Sequence, residues 1–290
     1  MQPSFEQIAE LFGLGSQPVD EEQLVQIESE EKELSLVERG ERSMARGQFL
    51  KAVDFYQRAV EESGGTMPEA LLGYASALET TDQSPQAIVE YQKALTAASD
   101  NPEPHLGLSD IYKREGRGQD AIKELQSAIK SDPKNPYFHY KLAETMRDLG
   151  FPKSARDIVQ RSIILEPDRS HYHYWNADVL IQLGRFDEAV GALRAAVELS
   201  PGDDHLYVKT AIAFWGAERH QDAIKAAMLA GELAPDDGRV LGLLWAMHTV
   251  QGTKEDPALK AKVNVLERFD IDQVNRWLKE AGIKMQLEEK

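Results

Sequence analysis

The sequence predicts an all-α protein built as an array of antiparallel helix pairs, and recurring residues support this prediction. Small residues recur in steps of 35 and then 34 at Ala52, Ala87, Ala121, Ala155, Ala189 and Ala223. A small residue also lies seven positions after and twelve positions before each of these alanines, so all eighteen positions of the three series hold small residues. The 34-residue step recurs in Pro133, Pro167, Pro201 and Pro235, and in Gly116, Gly150 and Gly184. A fixed period of this length is typical of a repeat array.

Each class of repeated residue has a role in a helix pair. Small residues allow two helix axes to approach to about 8–10 Å. Large residues four positions after each alanine fill the space between repeats. They are Tyr56, Tyr91, Leu125, Val159 and Leu193. The prolines end the second helices, because proline cannot continue a helix and its predecessor avoids helical geometry.

This pattern resembles the tetratricopeptide repeat (TPR) family, whose signature places small, aromatic and proline residues at fixed points of a 34-residue unit. The match within residues 168–201 comprises Ala177, Gly184, Phe186, Ala189, Leu193, Ala196 and Pro201. The resemblance covers six repeats, about 33–235, and a partial seventh at 236–253, where Trp245 takes the small-residue position. It implies a right-handed superhelical solenoid whose concave face is lined by the first helix of each pair.

We divide the chain into three parts. Residues 1–18 are expected to form an amphipathic docking helix and linker, residues 19–253 the TPR solenoid, and residues 254–290 capping helices. The face of the docking helix comprises Phe5, Ile8, Leu11 and Phe12. The last helix is expected to begin at Asp270 or Asp272 and to carry Ile271, Val274, Trp277 and Leu278. Polar outer helices are what the ends of a solenoid require.

The docking helix is too short to be stable alone, since isolated helices under about 12–15 residues are marginal in water. It has three alternative docking sites, which are the first repeat as a cap, the concave groove as an occluding ligand, or a separate partner. The acidic linker through Asp20, Glu21 and Glu22 favours the last two.

Composition excludes several classes of protein. The 290 residues contain no cysteine, so disulfides, thiolate metal sites and cysteine nucleophiles are excluded. A net charge of −16 disfavours nucleic acid and anionic lipid as partners. Residues 240–253 form an apolar stretch of only 14 residues, shorter than the roughly 18–20 of a membrane span. The N-terminus does not resemble a secretory signal. We therefore expect a soluble, cytoplasmic protein without membrane insertion.

The sequence predicts neither an enzyme nor a cofactor or metal site. His105, His139 and His173 share one phase of the repeat, and residues on neighbouring helices about 8–10 Å apart cannot share a metal. We assign these histidines a structural role. No glycine-rich loop has phosphate-binding spacing, because Gly116, Gly150 and Gly184 are turns between helices. No serine or threonine stands in a strand–turn–helix context.

The resemblance implies a peptide-binding groove along the first helices. By register, its lining in the second and third repeats is Leu72, Ser76, Glu79, Leu106, Asp110, Lys113 and Arg114. In the fourth to sixth repeats it is Tyr137, Tyr140, Glu144, Arg147, Asp148, His171, Tyr174, Asp178, Ile181, Gln182, His205, Val208, Ile212 and Trp215. Because tyrosine is enriched at binding hot spots, we expect Tyr140 and Tyr174 to be exposed. Trp215 fits groove and core equally well.

Charges in this groove allow two interpretations. Asp110, Glu144 and Asp178 recur at one position, and Lys113 and Arg147 follow three residues after the first two. The cations either pair with the acids on their own helix or leave a stripe of acids for a ligand. A carboxylate clamp, which one branch of the family uses for chaperone tails, would need Lys and Asn where this chain has Tyr140 and Glu144. A partner with apolar and basic side chains fits better.

The sequence thus favours a non-enzymatic scaffold, adaptor or assembly factor that binds a segment of a partner protein in the groove. Two alternatives stay open. The chain could be a structural subunit of a larger complex that uses its outer surface and termini, or a regulatory subunit of an enzyme encoded elsewhere.

Overall fold

A computed structural model describes residues 34–252 and 257–288 of the chain. Within these ranges the protein has fifteen helices and no strand. The chain divides into two compact units, of which the first ends at Ile111 and the second begins at Tyr112. The predicted docking helix with Phe5, Ile8, Leu11 and Phe12 lies outside the described residues.

The helices of unit 1 are α1 (Leu36–Ala45), α2 (Phe49–Glu62), α3 (Pro68–Thr80), α4 (Ser84–Ala97) and the start of α5 (Glu103–Arg114). Ser35 caps α1 in a capping box with Glu38. Consecutive helices from α1 to α4 pack together, and the first helices α1 and α3 also contact each other. This is the predicted arrangement of antiparallel pairs.

Unit 2 continues the same pattern after the end of α5. Its helices are α6 (Gly118–Ser131), α7 (Pro136–Asp148), α8 (Pro152–Leu165), α9 (Ser170–Gln182), α10 (Phe186–Leu199), α11 (Asp204–Gly216), α12 (His220–Leu233), α13 (Gly238–Val250), α14 (Pro257–Val263) and α15 (Arg268–Glu280). Consecutive helices from α6 to α14 pack together, and the first helices α9 and α11 touch. The predicted all-α array of helix pairs is therefore confirmed.

The predicted packing positions are buried. All eighteen small residues are buried, and the six alanines of the first series have no exposed surface. The large residues four positions later, from Tyr56 to Leu193, are at most 4% exposed. The second helices α6, α8, α10 and α12 each end two residues before the predicted proline. The sequence register is thus confirmed.

The turn inside each helix pair needs one residue in the left-handed region. Glycine meets this requirement at Gly47, Gly116, Gly150, Gly184 and Gly252, with φ between 64° and 84°. The equivalent residues in the second and sixth repeats are Asp82 at φ 59° and Glu218 at φ 61°. Because a side chain disfavours this geometry, glycine is the common choice.

The C-terminal helix α15 packs on the first helices α13 and α11. It begins at Arg268, two residues before the earlier of the two predicted starts. The predicted face of Ile271, Val274, Trp277 and Leu278 is buried. The chain after α15 returns to it, where the side-chain amide of Asn275 donates to the Leu287 carbonyl at 3.0 Å and accepts from its N–H at 2.8 Å.

Overpacking tests the close helix contacts. Ala189→Leu is expected to lower the free energy of unfolding by about 1–3 kcal/mol, because the added atoms have no space at this fully buried position. Urea denaturation followed by circular dichroism measures the change. Ser154→Leu places the same side chain on an exposed position of α8 and is the control. Equal stability of the two variants would contradict the close contact.

Candidate interaction site

The sequence-predicted groove residues lie on the first helices α3, α5, α7, α9 and α11, as the register requires. Those of α7 and α9 meet in an aromatic cluster. The Tyr140 ring lies 4.8 Å from His171, 5.3 Å from Trp175 and 5.8 Å from Tyr137, measured between ring centroids. The Arg147 guanidinium stacks on Trp175 at 3.9 Å. Unit 2 therefore contains a connected aromatic cluster.

The expected exposure of Tyr140 is wrong. Only 8% of Tyr140 is exposed, because rings from the next repeat pack around it and its hydroxyl donates to Glu144 at 3.3 Å. Burial also raises the pKa of its phenol. Trp215, which fitted groove and core equally well, is 6% exposed and stacks with His220 at 4.4 Å. Both residues belong to the core, as do the predicted groove residues Ile181, Val208 and Ile212, which are at most 4% exposed.

Three predicted residues share a small cavity. His171, Tyr174 and His205 line a volume of about 360 Å³ together with Ser170, Asp203 and Leu206. Tyr174 is partly buried, and its pKa is raised by that burial. The surrounding rings lower the pKa of His171. Hydroxyl and imidazole groups thus line the cavity beside the acid Asp203.

The charged residues pair across repeats, so both earlier interpretations of them are wrong for unit 2. Lys113 lies 3.0 Å from Glu144 and 2.8 Å from Asp148 of the following repeat. Arg147 lies 2.8 Å from Asp178 of the next repeat and 2.7 Å from Asp148. Glu144 also lies 3.5 Å from Lys141 of its own helix. These acids therefore have cationic partners, and they do not form a free stripe.

Lys209 completes this series of ion pairs. Its ammonium lies 2.6 Å from Asp178 and 2.7 Å from Glu280 of α15. Only 10% of the Lys209 side chain is exposed, and the two carboxylates raise its pKa despite the opposing effect of burial. We call the pairs from Lys113 to Glu280 the charge ladder. It joins α5, α7, α9 and α11 to the C-terminal helix.

Unit 1 contains an open groove of about 710 Å³, about twice the volume of the cavity beside Tyr174. It is lined by Glu41, Met44, Tyr56, Pro68, Glu69, Leu72, Gly73, Ser76, Glu79, Tyr91, Ala98, Asn101, Glu103, Leu106, Gly107 and Asp110. The five members predicted by register are Leu72, Ser76, Glu79, Leu106 and Asp110. Among the sixteen residues, all in the described part of the chain, five are acidic and none is Lys, Arg or His.

One repeat position explains why the groove lies in unit 1. That position holds Gly73 and Gly107 in unit 1, but Lys141, Trp175 and Lys209 at the same step in unit 2. A Cβ atom at either glycine would overlap a tyrosine ring, Tyr56 at Gly73 and Tyr91 at Gly107. Glycine inside a helix costs about 0.5–1 kcal/mol relative to alanine. These two helical glycines are the sequence signal that register alone missed.

The described residues contain no group of three or more histidines, cysteines, aspartates and glutamates able to hold a metal ion. His139 contacts the carbonyl of Pro133 at 3.0 Å, and His173 contacts that of Pro167 at 2.7 Å. Among the described helices, none is long and apolar enough to cross a membrane.

The fold and its faces define a helix-repeat protein of the class that serves as protein-interaction scaffolds. A tetratricopeptide repeat model matches residues 37–102, 140–204 and 174–238, and a TPR repeat model matches residues 109–150. These matches span more than half of the sequence, so the chain belongs to the tetratricopeptide repeat family. A search of curated proteins found no match.

Solved structures with the same fold include three TPR-type chains. YrrB, described as a TPR protein with an unusual peptide-binding site, is 22% identical with a TM-score of 0.53, over 62% of this chain and 93% of its own. MamA is 25% identical with a TM-score of 0.52, over 56% and 94%. PilF of Pseudomonas aeruginosa is 18% identical with a TM-score of 0.58, over 69% and 91%.

Proposed function

We propose that the protein is a non-enzymatic scaffold, adaptor or assembly factor that binds a segment of a partner protein along its first helices. The unit 1 groove is the docking surface. Its occupant is an extended segment with apolar side chains and lysine or arginine. The acidic lining of this groove is the observation that carries the proposal.

Electrostatics favour a basic occupant. Glu41, Glu69 and Glu103 are exposed around the groove and form no ion pair with any described residue. A concave surface lined by one sign of charge raises the local concentration of oppositely charged ligands. The groove acids Glu144 and Asp178 of unit 2, by contrast, already have cations in the charge ladder. The basic partner expected from sequence therefore fits unit 1.

Apolar contacts supply the other part of the recognition. Met44, Leu72 and Leu106 line the groove and are each partly exposed. Burial of such side chains stabilises a complex by roughly 25 cal/mol per Å² of apolar surface removed from water, before the cost of association. Tyr56 and Tyr91 form part of the lining, and aromatic groups are common at binding hot spots.

A structural role in a larger complex is a second candidate, supported by the second helices. Leu165, Leu199 and Leu233 recur at the 34-residue step and are 37%, 40% and 45% exposed. A repeated aliphatic surface suits a fixed protein contact. Affinity purification of the native protein distinguishes this role from the regulatory one, because a constant enzyme partner would support the latter.

Selection from a random dodecapeptide display library tests the groove. We expect peptides that bind the full chain to be enriched in lysine or arginine together with apolar residues. The triple variant Glu41→Gln, Glu69→Gln and Glu103→Gln should bind them about 10- to 100-fold more weakly at low salt, because three attractive charges are lost. Isothermal titration calorimetry measures the affinities.

The matched control is Asp54→Asn, Glu61→Gln and Glu62→Gln, which removes the same charge from exposed positions of α2 outside the groove. This variant should keep the parent affinity. Peptides without basic residues, or equal losses in the two triple variants, would contradict the proposed docking surface.

A further inference from the structure

Tyr56 reaches the groove from a second helix. Its ring projects from α2 between Gly40 of α1 and Gly73 of α3, and a Cβ atom at either glycine would overlap it. The residue is 4% exposed and lines the groove. Within the described part of the chain, its hydroxyl makes no hydrogen bond. The hydroxyl oxygen itself is not closed off from water, so a ligand in the groove can supply the hydrogen-bond partner that the protein does not.

Tyr91 is the equivalent residue of the next repeat and behaves differently. It is 3% exposed and lies against Gly107, and its hydroxyl donates to the Glu79 carboxylate at 2.8 Å. Burial and this carboxylate raise the pKa of the Tyr91 phenol. The two tyrosines therefore share one repeat position, but only the Tyr91 hydroxyl has an internal acceptor.

The groove lining around Tyr56 combines apolar and acidic groups. Met44 of α1 and Leu72 of α3 provide apolar surface, whereas Glu41 and Glu69 provide carboxylates on the same two helices. Burial, together with the Glu41 charge, raises the pKa of Tyr56 to about 12, so the hydroxyl stays protonated and neutral at physiological pH. We call these five residues the Tyr56 subsite.

We propose that the Tyr56 subsite binds a lysine side chain of the partner segment. The lysine methylene groups lie on Met44 and Leu72, and the ammonium donates to the Tyr56 hydroxyl and to the two carboxylates. Lysine has three ammonium donors on a flexible apolar stem, which match one neutral and two charged acceptors. Arginine is less suited, since its planar fork is adapted to bidentate carboxylate or phosphate contacts. This assignment rests on the proposed function of the groove.

The test uses the tightest lysine-containing peptide from the dodecapeptide selection and the full-length protein. Each lysine of this peptide is replaced in turn, once by norleucine, which keeps the apolar stem without the charge, and once by arginine. Tyr56→Phe should weaken binding of the unmodified peptide about tenfold, the effect of losing a hydrogen bond to a charged group. This loss should depend on one lysine of the peptide. When that lysine is replaced by norleucine, the peptide should bind the Tyr56→Phe variant and the parent protein equally.

Tyr91→Phe is the matched control. It removes a hydroxyl that is bonded inside the protein, so it should lower the melting temperature and weaken the lysine and norleucine peptides by the same factor. Tyr56→Phe should leave the melting temperature unchanged, since no described residue loses a hydrogen bond.

Equal losses for the lysine and norleucine peptides with Tyr56→Phe, or no loss at all, would overturn the subsite. An arginine peptide that binds as tightly as the lysine peptide would overturn the assignment to lysine. If the triple glutamine variant still weakens binding in these cases, the groove stands and only the subsite fails. If that variant has no effect, the proposed function itself fails.

Discussion

Trp277→Ala is expected to lower the free energy of unfolding of unit 2 by about 3–5 kcal/mol. The Trp277 side chain is 6% exposed and belongs to the same apolar core as α11 and α13. Its truncation removes buried aromatic surface and leaves a cavity that the packed helices cannot close. Urea denaturation followed by circular dichroism measures the loss, with the first transition used if unfolding has more than one step.

Arg276→Ala is the control, because Arg276 is the exposed neighbour of Trp277 on α15. It should change stability by less than about 0.5 kcal/mol, as is usual for surface substitutions. If both variants lose the same small amount, α15 is not docked on the first helices. Retention of the C-terminal segment under limited proteolysis gives an independent measure of docking.

Lys209→Met is expected to lower the free energy of unfolding by about 3 kcal/mol. Methionine keeps most of the apolar stem but removes the cation that lies between Asp178 and Glu280. Loss of one partner from a buried ion pair is costly because the remaining charge stays poorly solvated. Asp178 keeps Arg147 as a partner, so the value lies at the lower end of the usual range.

A second substitution identifies the origin of this loss. Glu280→Gln in the Lys209→Met background should restore part of the stability, since the uncompensated carboxylate is then removed. Lys225→Ala is the control, because Lys225 is 73% exposed and 3.7 Å from Asp222. A loss at Lys209 no larger than that at Lys225 would show that the charge ladder does not stabilise the unit.

The period of the sequence was sufficient to predict the fold. Small residues such as Ala121 and Ala189 are required wherever two helices meet closely, so their spacing reports the architecture directly. Proline and glycine recur with the same period, because proline ends a helix and glycine forms the turn after it. Both effects are local to the backbone and do not depend on tertiary contacts. The start of α15 at Arg268 was less well predicted, because its N-cap residue Glu267 makes no side-chain capping bond.

The site was predicted only in part, because register within one repeat does not report the neighbouring repeat. Tyr140 has the register of a groove residue, but Trp175 and His171 of the next repeat cover it. Arg147 has an acid on its own helix three residues earlier, yet the acids that it contacts are its neighbour Asp148 and Asp178 of the next repeat. The missing information comes from comparing the residue types at one position in successive repeats, such as Gly73 and Trp175.

The groove acids of unit 1 are exposed to solvent, whereas the Lys209–Asp178 pair of unit 2 is largely buried. The two units should therefore respond differently to ionic strength. Glu41, Glu69 and Glu103 are exposed, so 1 M salt, with a Debye length of about 3 Å, would screen their attraction for a basic segment. Lys209 and Asp178 have side chains only 10% and 11% exposed, and mobile ions reach them poorly. A salt wash should therefore release a partner bound in the unit 1 groove while the helices of unit 2 stay assembled, which gives a mild means of recovering that partner intact.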